Sequence, residues 1–596
     1  MKKSLHLSLM AAGAALLTSG AVQEAKAETV LTQPECTWGN TFYGETTAGN
    51  QVQGNTIVSD GGVVWHLAGG SNHDSRDIYY AGSVLFQGSD YNEGGTSNNN
   101  NLCILKTDKD GNKVWDLHST TCDFASNQGD VVAMPDGGVV FTAKVRCTDL
   151  SAECQWEPIT LIDGKNATHT LEWEHTATDT KRYYKGIIGR LDKDGGLVWL
   201  KELVASRAAQ PNGSGSYADY TAEALYLNAL AADATGNIYV GGNFRNPMTY
   251  PGSDMNLVPT NTVNWTGDTQ STVGDLYIIK IDADGKYVKS LATAATNGSV
   301  NCQRLRYENG KIYSAIYATG EGTVALGDKN FTVEGLFSPA IAEFDTDLNA
   351  EWISAFKGEK DSKNKNGFQN TDITIVNNAL WFTGQFQGKI SDAAGNSFES
   401  TTTMREGFLL KLNAADGSWI KATTSAADAY TAGLTGYFKA IQNPVLDSKV
   451  YVYGYTMSKS IFMRTYDATT LESDPDTEWK LVTGGGASTC QTIAYDADDA
   501  RIYITARGKA KDFVTLDGPT VSLPSTPWSI LLAGYNMPSD FKTAVEGIEA
   551  VGNESAVNAP VYDLQGRVAG MTDAEGNLPA LAPGLYVAAG KKVLVK

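Results

Sequence analysis

Cys103-Ile104-Leu105-Lys106-Thr107-Asp108-Lys109-Asp110-Gly111, closing on Val114-Trp115, is the stretch on which the fold turns. It reads as an apolar strand, an Asp-rich turn, and a second strand that begins with Trp. Asp at the turn can cap backbone N–H groups with its own carboxylate, and Gly supplies the positive φ that reverses the chain. The unit returns as Ile187 to Gly195 with Val198-Trp199, and as Tyr277 to Gly285, where Val288 is read in the Trp position. Looser copies run Ile341 to Asp347 with Trp352, Phe408 to Gly417 with Trp419, and Phe462 to Asp467 with Trp479.

A second hairpin follows each first one. Val131 to Phe141 turns at Asp136-Gly137, and Leu230 to Gly241 turns at Gly236-Asn237. Later copies centre on Asn309-Gly310, Asn377-Asn378, Lys449 to Gly454 and Arg501 to Ile504. Two hairpins make a four-stranded antiparallel sheet, and such sheets repeated every ~50–90 residues are the pattern of a β-propeller. The expectation is an all-β chain with about seven blades. Each Trp is expected to pack between blades, since one blade cannot bury both faces alone. Trp528 to Tyr535 is a lone strand without a second half, and the complement lies near the start, in Trp38 to Phe42 and Thr56 to Trp65. The ring should therefore close with strands from both ends of the chain.

Several repeats carry an added stretch, such as Gly322 to Gly327 followed by Phe331-Thr332-Val333, Gly388 to Asp392 followed by Gly395 to Phe398, and Phe513 to Gly518 followed by Val521 to Leu523. This grammar resembles the SBBP-type β-propeller repeats of exported bacterial proteins. The resemblance covers roughly residues 56–535 and implies the fold while saying little about ligand.

The chain ends differ from the repeats. Lys2-Lys3, an apolar run from Leu5 to Leu17, and the small-x-small site Ala25-Lys26-Ala27 read as a signal peptide over residues 1–27. The run is too short to span a bilayer, so no transmembrane segment is expected. A propeller over residues 28–540 is followed by a linker over 541–558 and a β-domain over 559–596. In that tail, Asp563-Leu564-Gln565-Gly566-Arg567, Pro583-Gly584-Leu585-Tyr586 and the final Lys592-Val593-Leu594-Val595-Lys596 resemble the C-terminal sorting domain of type IX secretion. That resemblance implies a small β-sandwich, the type IX machinery as a partner, and passage through the periplasm to the cell surface or medium.

The net charge is −20, which disfavours nucleic acid and anionic membranes as partners. The cysteines are seven, an odd number, without the CxxC spacing of zinc or redox sites. A Cys147–Cys154 loop clip and a Cys103–Cys122 staple are both open. Asp108/Asp110, Asp192/Asp194 and Asp282/Asp284 invite a calcium reading, but no bidentate Glu follows at the EF-hand distance, so turn capping is favoured and no cofactor is expected. The same turns approach the sialidase Asp-box and the tryptophan motif of quinoprotein propellers without restoring either spacing. His169-x-Leu171-x-Trp173-x-His175 shares one strand face, too spread for one metal. No Gly-x-Ser-x-Gly, His-Glu-x-x-His or phosphate loop is present.

The reading is a non-catalytic binding protein for an extracellular glycan, peptide or protein, using loops on one propeller face. Insertions at residues 148–184 and 245–274 are the first places to look. Trp156, Trp173, His175, Tyr250 and Trp265 are the candidate ligand contacts, for stacking and hydrogen bonding. The alternatives are a glycan lyase or hydrolase with acids around the channel, and a structural adhesin. Fold alone licenses neither.

Overall fold

A computed structural model describes residues 33–538 and 560–595, apart from 45–51, 72–76, 89–98, 121–122, 125–128, 147–157, 173–183, 206–224, 245–246, 261–273, 296–297, 335–336, 360–367, 377, 401–405, 426–438, 442–448, 456–459, 475–476, 485–491, 510–511, 523–527, 539–559, 564–567, 572–583 and 589–590. The expected signal peptide and linker lie outside the described residues. Among the described residues, no helix is long and apolar enough to cross a membrane.

The chain is all-β, in a propeller arrangement. Its sheets are numbered here by their innermost strands in chain order: Val52–Ser59, Val131–Ala133, Leu225–Ala232, Ser299–Glu308, Phe368–Val376, Lys439–Ile441 and Ile493–Asp496. Each innermost strand touches the next, and the last returns to the first. Between successive sheets lie separate apolar cores. The expectation of about seven blades is corrected to five regular ones, in which the strands follow one unbranched antiparallel path: sheets one, three, five, six and seven.

Sheets two and four branch because one strand is broken in two. In sheet four the outer strand divides into Ala350–Ala355 and Lys357–Glu359 around Pro339 of the facing strand. Phe356 N–H donates to the Pro339 carbonyl (2.8 Å), but proline has no N–H to return, so the ladder breaks there. In sheet two, Val139–Arg146 is flanked on the same edge by Asp123–Phe124 and Val131–Ala133.

Ring closure by strands from both ends follows the expectation, but the Thr56–Trp65 hairpin expected in the closing blade lies in sheet one, where Gly62–Ser71 pairs with Asn99–Asp108. In sheet seven, Glu35–Gly44 pairs with Trp528–Asn536, from Glu35↔Asn536 to Phe42↔Ile530. The added stretches have a definite job. Each is a hairpin inserted between the second and third strands of one blade, and it pairs with the outermost strand of the blade before. Gly322–Leu326, inserted in sheet four, lies along Tyr287–Ala295 of sheet three. Phe513–Thr515, inserted in sheet seven, lies along Trp479–Gly484 of sheet six.

The two insertions expected to meet ligand belong to this set in their described parts. Ile159–Ile162 pairs with Lys113–Ser119, and Met248–Thr249 pairs with Leu197–Ala205. They clasp neighbouring blades. In the tail, Pro560–Asp563, Val568–Met571, Gly584–Ala588 and Lys591–Val595 form one four-stranded antiparallel sheet. No second sheet completes a sandwich among the described residues.

Candidate functional site

The Asp-rich turns are structural. In each, one carboxylate oxygen accepts the backbone N–H groups two and four residues on: Asp108 from Asp110 (2.9 Å) and Asn112 (2.8 Å), Asp282 from Asp284 (3.0 Å) and Lys286 (2.8 Å). Asp192, Asp233 and Asp345 repeat the pattern. Burial raises the Asp108 carboxyl, yet the hydrogen bonds from the Asn112 side chain and the turn backbone outweigh it and hold the group below the ordinary carboxylate range.

The Trp residues lock one blade to the turn of the next. Trp38 Nε1–H donates to the carbonyl of Lys109 (2.8 Å), Trp115 to Lys193 (3.2 Å) and Trp199 to Ala283 (2.9 Å). The indole lies on the turn glycine: a Cβ on Gly195, at φ +85°, would stand 2.7 Å from the Trp115 ring. Register corrects one sequence assignment. Trp115 pairs with Lys106 and Trp199 with Arg190, and the equivalent partner of Lys280 is Lys289, not Val288. Val288 belongs with the exposed Val114 and Val198. Lys289 still reaches the next turn, donating to the Asp347 carbonyl (2.6 Å). That turn carries Leu348 (φ +61°) where the turns beneath Trp38, Trp115 and Trp199 carry Gly.

Four of the five candidate contacts, Trp156, Trp173, His175 and Trp265, lie outside the described residues. The fifth, Tyr250, is a correction. It is 2% exposed and its hydroxyl donates to the Gly285 carbonyl (2.8 Å), so it pins a clasp to the next turn and belongs to the core. His169 faces Asp163 (2.8 Å), whose other oxygen caps its own turn. Cys36, Cys103 and Cys302 are buried free thiols, so the Cys103–Cys122 staple is not formed. Cys122, Cys147, Cys154 and Cys490 lie outside the described residues.

The sequence reading missed a polar belt around the axis. Asn55, Asp130, Ala229, Arg304, Asp372, Lys439 and Thr492 each precede the equivalent register position of an innermost strand. Thr492 Oγ1 donates to Asn55 (2.7 Å), and Asp130 accepts from the Leu230 N–H of the next sheet (3.0 Å). Arg304 lies 3.8 Å from both Asp130 and Asp372, and Arg306 donates to Asp372 (3.0 Å). Ala229, with only a methyl, leaves the sector through which Arg304 reaches a carboxylate two sheets away. Asp130 is 1% exposed, and a charge so buried is tolerated only when paired and hydrogen-bonded. The belt ties the inner strands together. Its signal in the sequence was a polar residue at this position in all but the third of these strands, beside bulges at Gln53/Thr56, Leu227/Ala229, Cys302/Arg304 and Gln369/Asp372.

The two ends of the ring differ. One end is made mostly of tight turns, such as Asp60-Gly61, Asn309-Gly310 and the Asp-capped turns. Sheet six departs from this, with residues 442–448 and 468–478 between its strands. From the other end leave the connections between blades, including residues 45–51, 206–224, 360–367, 425–438 and 485–492.

No family model matches the chain. No curated protein matches it. Among solved structures it is similar to a protein of unknown function from Dyadobacter fermentans (12% identity, 70% of this chain and 95% of that one, TM-score 0.35). It is also similar to a quinohemoprotein alcohol dehydrogenase from Pseudomonas putida HK5 (11%, 87% and 78%, 0.32) and to Trypanosoma rangeli sialidase in complex with 2,3-difluorosialic acid (9%, 76% and 61%, 0.33). Likenesses of this size carry no inference about ligand or chemistry, and the fold stands on the sheets themselves.

Proposed function

We propose that this chain is an exported, non-catalytic propeller that binds an extracellular glycan, peptide or protein at the end from which the blade-to-blade connections leave. The observation that carries the reading is the asymmetry of the ring. Strand direction gathers the long connections at one end, while the other end is spent on capped turns and interblade locks. Binding residues sit on loops held by a rigid scaffold because loops can vary without loss of the core.

Export is supported by the sequence of residues 1–27 and by the tail pattern over 559–596, read as SBBP-type repeats delivered by a type IX sorting domain. On this reading the propeller spans 28–540, the linker 541–558, and the destination is the cell surface or medium. Glycan and peptide arrays probed with the mature chain, with product release followed in parallel, test it. Binding lost on replacing residues 206–224 by a short Gly-Ser linker supports the reading. Release of cleaved product would assign the protein to glycan-degrading enzymes instead.

A further inference from the structure

We infer that the ring has a built-in opening point at the seam between sheets five and six. Three independent features converge there. The first is chain length. Lys449–Tyr455 is followed at once by Ile461–Asp467, so the connection that elsewhere holds a clasp hairpin is too short to fold one. Sheet five is accordingly four-stranded, while the other sheets of the ring have six or seven strands.

The second feature is the missing Trp lock. Lys411 pairs with Lys421, which therefore occupies the Trp position, while Trp419 pairs with Leu412 and turns to the other face. There it packs on Phe356 and Phe398, on the side of sheet four. The turn that a lock would cover carries Leu471 at φ +56° in place of Gly. Lys411 Nζ reaches across to the Ala468 carbonyl (2.7 Å), a single long side chain where the seams bearing Trp38, Trp115 and Trp199 hold an indole seated on backbone.

The third is the core itself. Among the described residues, the cluster between these sheets, around Trp381, Leu409, Val452 and Phe462, is the smallest of those between blades. Local opening free energies follow buried apolar contact and the pairings that cross a seam, so the seam without a clasp opens before its clasped neighbours. Opening here parts the facing surfaces of sheets five and six and leaves each sheet's own ladder whole.

Native-state thiol labelling of the full chain tests this. The buried Cys36, Cys103 and Cys302 stand in other interblade cores and act as internal references. The thiol introduced by Val452→Cys, at a fully buried position, should be modified at least about tenfold faster than these three, read by peptide mapping. Leu409→Cys, on the opposite wall, reports the same seam if the first variant fails to fold. Replacing residues 456–459 with the clasp segment 320–334 should slow labelling to the reference level. Equal labelling at all buried thiols, or a graft that leaves the rate unchanged, overturns the inference.

Discussion

The seam between sheets one and two and the seam between sheets three and four are built from the same repeat, yet they are held differently. At the first, Trp115 seats on Gly195 and donates to Lys193. At the second, Lys289 spans to Asp347 while Tyr239 and Lys280 both donate to Thr346. The lesson is that the position, not the residue, is what the ring needs. A donor must reach the next turn, and it can be an indole that also buries area or an ammonium that does not. Where the indole is absent, the turn no longer needs glycine, and leucine takes the place with its side chain in the core.

The sharpest way to break the comparison is Trp115→Ala. It removes a side chain 4% exposed and leaves a cavity between blades, at a cost of about 3–5 kcal/mol; the denaturant midpoint should fall steeply. Gly195→Ala should come next, at about 1–3 kcal/mol, since it forces a Cβ against the indole at positive φ. Lys289→Ala should cost under about 1 kcal/mol, because the lysine is exposed and screened. If Lys289→Ala matched Trp115→Ala, the two locks would be equivalent and the comparison would fail.

Acid should sharpen the difference further. His66 is buried against the Thr142 carbonyl (2.9 Å) in the first seam. Burial pushes its imidazole below the ordinary 6.5, although that carbonyl and Asp130 act in the other direction. The unfolded chain takes up the proton first, so stability from this group is full above pH 6.5 and declines as pH falls below it towards the folded value. The denaturant midpoint should drop from pH 7 to pH 5.5, and His66→Gln should flatten that drop. The turn carboxylates act lower. Asp233 is raised by burial but lowered more by Asn237, Thr235 and Tyr239. Its contribution is present above the ordinary Asp range and is lost as pH falls through its depressed folded value. Asp233→Asn should therefore reduce the acid dependence below about pH 4 and leave the midpoint near pH 6 less affected.

Much of this was legible because it is local. Asp, Gly and apolar alternation state a turn and two strands within ten residues, and repetition states the ring. Trp528 without a following hairpin stated the closure. What escaped was non-local or displaced by one residue. Each of these hairpins carries a bulge after the turn, so the outer-strand residue that faces the next blade is not plain from the sequence, and between Asn413 and Lys421 the turn is also one residue longer; Lys289 and Lys421 were thus hidden behind Val288 and Trp419. Clasp pairing joins one blade to the preceding one, and no local pattern encodes a neighbour. Tyr250 looked like a ligand contact because an aromatic in an insertion resembles a binding loop until its hydroxyl is found on Gly285. The belt of Asn55, Asp130, Arg304, Asp372 and Thr492 is drawn one residue at a time from strands far apart in the chain, and has no period to read.

The closure of the ring has a consequence for how the chain reaches its native state. Glu35–Gly44 has no strand to pair with on its inner side until Trp528–Asn536 exists, so contacts of extreme sequence separation come last. Topologies dominated by such pairings fold slowly. Every shorter chain carries two bare sheet edges, which are templates for association. A folding helper or a low working concentration would matter most in the interval between synthesis of the first of these two strands and arrival of the second.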